Sequence, residues 1–61
     1  MAHIKIKLLR HRKGMTQKEL AEKIGVPQQS ISRWETGEVI PKIDKLKLIA
    51  KVLGCTINDL I

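Results

Sequence analysis

Apolar residues recur along the chain at the three- and four-residue steps of helices, and a Gly or Pro interrupts each run. Ile4 to Lys13 reads as a first helix with Ile6 and Leu9 turned inward. Beyond Gly14, Thr16 stands three residues before Glu19, so a hydroxyl and a carboxylate can reciprocally satisfy the free amides of a helix start. Leu20, Ala21 and Ile24 then share one face while Lys18, Glu22 and Lys23 lie off it, which is the pattern of a helix resting on a core. Gly25 suits a left-handed C-cap, and Pro27 is preset for the first turn of the next helix. In that third helix Ile31 and Trp34 face inward three apart, which leaves Gln28, Gln29, Ser32 and Arg33 on the opposite side. Thr36 to Pro41 forms the main loop, with Gly37 as a C-cap and Pro41 as a break. Lys42 to Leu53 is a fourth helix, with Ile43, Leu46, Ile49, Ala50 and Leu53 in phase as the floor of the core. Thr56 and Asp59 repeat the capping pattern and predict a short fifth helix that returns Ile57 and Leu60 to the core, with Ile61 beyond it.

Residues 16–35, TQKELAEKIGVPQQSISRWE, therefore read as two short helices joined by a tight turn. This stretch resembles the helix-turn-helix of the phage repressor and Cro-type, XRE-like DNA-binding family. The resemblance is carried by Ile6, Leu9, Arg10, Gly14, Thr16-Gln17, Leu20-Ala21, Gly25-Val26, Ile31 and Trp34-Glu35. It continues through Gly37, Pro41, Leu46, Ile49-Ala50, Leu53-Gly54 and Leu60, nearly the whole chain. It implies an all-α fold, a five-helix repressor-like bundle, with residues 1–61 forming a single helix-turn-helix domain. It also implies a sequence-specific transcriptional regulator, a repressor in the first instance, whose third helix enters the major groove of double-stranded DNA. The family holds antitoxin-like and coactivator-like members as well, so a protein-interaction adaptor is the second reading. Two positions depart from the family pattern. Pro27 replaces the usual Ser or Thr N-cap, so the third helix is expected to start without a side-chain cap, and Thr36 stands where Asn is common.

On this reading Gln28 and Gln29 occupy the first turn of the recognition helix. A glutamine amide donates and accepts, so it can pair bidentately with adenine, and Arg33 one turn further on can pair with the two acceptors of guanine. Each such pair supplies roughly 1–3 kcal/mol of discrimination. Ser32 is the fourth base-contact candidate, and the plainer alternative for all four is an ordinary solvated polar face. The resemblance further implies phosphate contacts at Gln17, Ser30, Thr36, Gly37 and Lys42, with backbone amides at the second helix's start reinforcing the first of them. It also implies a partly buried ion pair between Arg10 and Glu35, which makes Glu35 structural rather than a catalytic acid.

Composition agrees with a basic helical module. Sixty-one residues can make one small domain, and with no Phe or Tyr and one Trp the core must be aliphatic around Trp34. The formal net charge is +6, and the first thirteen residues hold five Lys and Arg with no acid, which favours a polyanionic partner. A single cysteine, Cys55, excludes an intramolecular disulfide and fits a reducing cytoplasm; it reads as a buried, inert thiol. No apolar run approaches the ~20 residues that cross a bilayer, and no membrane partner is expected. His3 and His11 lack neighbours at metal-ligand spacing, the glycines punctuate helix ends rather than building a phosphate loop, and no nucleophile is set up. No metal, cofactor or enzymatic activity is therefore expected. A reader this small gains by binding a palindromic operator as a homodimer, with Ile4 and Leu8, Leu48 and Val52, or Ile57 and Ile61 as candidate apolar contacts.

Overall fold

Helix boundaries fall where side chains or glycines can satisfy the backbone groups that a helix end leaves open. In the computed structural model, which describes residues 4–61, five helices follow one another: α1 (Ile6–Arg12), α2 (Gln17–Ile24), α3 (Gln28–Thr36), α4 (Ile43–Leu53) and α5 (Ile57–Leu60). His3 lies outside the described residues. Both expected capping boxes form. The Thr16 hydroxyl accepts from the Glu19 amide at 3.0 Å while the Glu19 carboxylate accepts from the Thr16 amide at 2.9 Å, and Thr56 with Asp59 does the same for α5. Gly25 ends α2 at φ 86° and Gly37 ends α3 at φ 82°, left-handed conformations that a Cβ would disfavour.

Helices α1 and α4 are shorter than the pattern-based reading, with α1 ending at Arg12 and α4 starting at Ile43. Helix α1 begins at Ile6 rather than Ile4: Lys5 is its N-cap, with a non-helical ψ of 36°, and the Lys5 amide donates to the Leu60 carbonyl at 2.6 Å, which ties the start of α1 to α5. Pro27 is the N-cap of α3, the position the resemblance gives it; its ψ of 148° is extended, and α3 starts at Gln28 without a side-chain cap.

Each helix contributes one aliphatic side chain that is fully buried: Ile6, Leu20, Ile31, Ile49 and Leu60. Trp34, Ala21, Ile24, Leu46, Ala50 and Leu53 complete the core around them. Helix α2 packs mainly on α3 and α4, with α1 laid across α3 and α4. Ile43 does not join the core and is 59% exposed. It opens the first turn of α4, past the stripe of Leu46, Ile49, Ala50 and Leu53, and Pro41 is the buried residue at this end. Helix α1 turns Ile6 and Arg10 inward, and Leu9 packs half-buried against the core. Cys55 is half-buried; desolvation, then the nearby Asp59 carboxylate, pushes its thiol above the usual range and keeps it protonated.

Arg10 is buried because Glu35 meets it. Its Nε donates to Glu35 Oε2 at 2.6 Å, its Nη2 to Glu35 Oε1 at 3.2 Å and its Nη1 to the Met15 carbonyl at 2.8 Å. The two side chains are 8% and 4% exposed, so removing either one strands a desolvated charge.

Glu35→Leu is accordingly expected to cost about 3–5 kcal/mol in urea unfolding, and Arg10→Met a comparable amount. The double variant is expected to recover much of that loss, whereas additive losses would mean that the two charges are independent. A second expectation concerns pH. Hydrogen bonds from the Thr16 and Thr56 amides, followed by those from their hydroxyls, hold the Glu19 and Asp59 carboxyls below their usual range. Lowered native values mean that this stabilisation is complete above the unfolded carboxylate pKa of about 4 and is lost as pH falls through the native values. Glu19→Gln keeps the capping geometry without the titration and should flatten the acid limb of the stability profile; an acid limb identical to that of the parent would contradict the assignment.

Candidate nucleic-acid interface

The exposed side of the two central helices is organised from the buried ion pair outward. Glu35 on α3 accepts from Arg10 on α1 and also from Gln17 on α2, whose Nε2 lies 2.8 Å from Glu35 Oε1. A carboxylate only accepts, so the Gln17 amide nitrogen must face it and the Gln17 oxygen must face away. That oxygen receives the Nε2 of Gln28, at a longer 3.4 Å. One chain of hydrogen bonds thus runs from the interior through α2 to the first turn of α3. Among the described residues, the Gln28 oxygen and its second amide proton have no partner.

Gln28, Gln29 and Arg33 are exposed, whereas Ser32 and Ser30 are half-buried. Gln17, Gln28, Gln29 and Ser32 line one shallow concavity between α2 and α3, so three of the four base-contact candidates share a surface with the phosphate candidate Gln17. Arg33 is not on that concavity. It reaches towards the loop beyond α3, where its Nε lies 3.3 Å from Glu38 Oε2. Lys42 is exposed at the N-cap of α4, and Gly37 is exposed in its left-handed turn. The Thr36 hydroxyl is already engaged, donating to the Arg33 carbonyl at 3.1 Å and accepting from the Glu38 amide at 3.4 Å.

Three features lay beyond the sequence reading. Gln17 is half-buried and tethered to Glu35; its position at a helix start marked it only for phosphate. Glu38 partners Arg33, and the one signal for it is an acid just past the C-cap glycine, where the chain folds back over the last turn. Val39, Ile40 and Ile43 are exposed aliphatics, 45%, 71% and 59% accessible, close together in the chain. Among the candidate apolar contacts, Leu8, Leu48 and Ile61 are exposed, while Ile4, Val52 and Ile57 pack against the core. Among the described residues, no helix is long and apolar enough to cross a membrane.

Comparison with known proteins places this geometry in a family. A helix-turn-helix family model matches residues 6–60. The HTH-type transcriptional activator BcrR of Enterococcus faecalis is 40% identical over 57 residues, covering 93% of this chain and 28% of that protein. The 26 kDa repressor protein of Escherichia phage HK022 is 45% identical over 40 residues, covering 66% of this chain and 17% of that protein. The chain therefore spans under a third of the length of either relative. Among solved structures, the biofilm master regulator SinR in complex with DNA superposes with a TM-score of 0.82 at 34% identity, over 88% of this chain and 87% of that one. The match from Ile6 to Leu60, across all five helices, makes this chain a member of the XRE-type helix-turn-helix family.

Proposed function

We propose that this chain acts as the DNA-reading unit of a transcriptional regulator, a repressor, that recognises double-stranded DNA with the exposed face of α3. The observation that carries this reading is the preorganised state of Gln28. Its side chain is braced by Gln17, itself anchored to the buried pair, and it retains one donor and one acceptor on the open side. Adenine offers the complementary pair on its major-groove edge. Gln29 stands beside it on the same turn, with Ser32 one turn on, and Arg33 supplies a guanidinium suited to guanine.

Phosphates on either side of the groove would be met by Gln17, Ser30, Gly37 and Lys42. The Thr36 hydroxyl would have to give up its bond to the Arg33 carbonyl before donating to a phosphate. A helix of nine residues spans only a half-site, about 14 Å at the usual helical rise, so full specificity calls for two copies on a palindromic operator. The net charge of +6 supports association with a polyanion, in a cytoplasmic or nucleoid setting.

Selection of DNA from a random duplex pool at fixed salt tests the reading. The parent should enrich a half-site, and Gln28→Ala and Gln29→Ala should each lose preference at particular base pairs, by about 1–3 kcal/mol per position. Salt-sensitive binding with no enriched sequence would instead favour the adaptor reading, in which a protein partner supplies specificity.

A further inference from the structure

We propose that Glu38 is a positioning residue for Arg33 and sets base preference at the position Arg33 reads. The inference rests on the DNA-reading function above and adds to it a residue outside the recognition helix. The carboxylate approaches the Nε side of the guanidinium, at 3.3 Å, and so leaves the two Nη groups as a free fork. A fork of two parallel donors matches the O6 and N7 acceptors of guanine.

The loop that carries Glu38 is itself held. Gly37 turns left-handed, the Val39 amide donates to the Arg33 carbonyl at 3.3 Å, and the Glu38 amide donates to the Thr36 hydroxyl at 3.4 Å. The same Thr36 hydroxyl donates to the Arg33 carbonyl, so the backbones of the two charged residues are tied together before their side chains meet. The pair is thus exposed at its side chains, while the backbones that carry them are tied together.

The placement of the charge points the same way. The other acids of this chain have different settings: Glu19 and Asp59 close capping boxes, Glu35 lies in the buried pair, Asp44 sits in the first turn of α4 and Glu22 is on exposed α2. Glu38 places a carboxylate against the base-contact candidate Arg33. Near DNA phosphates an unpaired carboxylate is repelled, whereas one that engages Arg33 holds the guanidinium away from the backbone and towards the base. Both side chains are more than 60% exposed, so the effect on any equilibrium is small, as for other exposed pairs, and it falls on selectivity rather than on folding.

The test is a cycle of Glu38→Gln, Arg33→Ala and the double variant, each bound at several salt concentrations to the enriched half-site and to versions substituted at its guanines. Arg33→Ala should abolish preference at one guanine. Glu38→Gln should weaken that same preference by about threefold and leave the other positions unchanged. Its binding to unrelated duplex should rise, with a salt slope steeper by about 0.9 as the released guanidinium takes a phosphate. In the Arg33→Ala background the effect of Glu38→Gln on preference should vanish, which separates positioning from a general loss of negative charge. Unchanged guanine preference in Glu38→Gln, alongside its loss in Arg33→Ala, overturns the proposal and leaves the DNA-reading function standing. If Arg33→Ala also retains every preference, Arg33 is not a reader and Glu38 has nothing to position; a parent with no sequence preference overturns the reading itself.

Discussion

Glu35 stands where three helices meet, and the arrangement of the reading face depends on what its carboxylate holds. From α3 it grips Arg10 of α1 and Gln17 of α2, with its oxygens 2.6–3.2 Å from their nitrogens. A charge this deep is tolerated only because it is paired and hydrogen-bonded, so the contact fixes the relation of the helices even though a well-packed apolar substitute could match its stability. The remaining lone pairs are not idle. Through Gln17 they orient the first side chain of the recognition helix, and a buried structural contact thereby becomes part of the geometry presented to a ligand.

The rest of the bundle is conventional hydrophobic packing, in which one fully buried aliphatic from each helix converges on a shared core. Cap chemistry sets the lengths. Helices α2 and α5 are closed at their starts by reciprocal Thr and carboxylate bonds, whereas α3 begins bare after Pro27. The uncapped amides of α3 lie at the same end as Gln28 and Gln29, where the helix dipole presents its positive end. Stability is thus invested at α2, whereas at the neighbouring start of α3 only the Ser30 amide is engaged, by the Pro27 carbonyl at 3.0 Å, and no side chain caps the turn.

Most of this architecture can be read from residue patterns, because its determinants are local. Thr16 with Glu19, Gly25, Gly37 and Thr56 with Asp59 act within one turn of their own positions, and the stripe from Leu46 to Leu53 follows helical phase. What patterns missed depends on how helices rotate against one another. Hydrophobic spacing favours Leu9 for the core and says nothing of Arg10, whose pairing with Glu35, 25 residues away, is implied by the family resemblance and not by the pattern. Ile43 holds the right phase but lies past the end of the packed stripe. The candidate site divides in the same way. Gln28, Gln29 and Arg33 are found on an exposed face as their spacing implies, whereas the tether at Gln17 and the partner at Glu38 arise from tertiary contacts and chain reversal.

In the proposed function, DNA is read by the face that Glu35 and Gln17 organise. This reading is tested most directly by titrating isotope-labelled protein with its selected duplex and following side-chain signals by nuclear magnetic resonance. The carboxamide resonances of Gln28 and Gln29 and the Nε signal of Arg33 should move most, with Gln17 following, while Ile49 and Leu60 in the core stay in place. Shifts centred on α4 and α5, with both glutamines of the recognition helix unmoved, would contradict it.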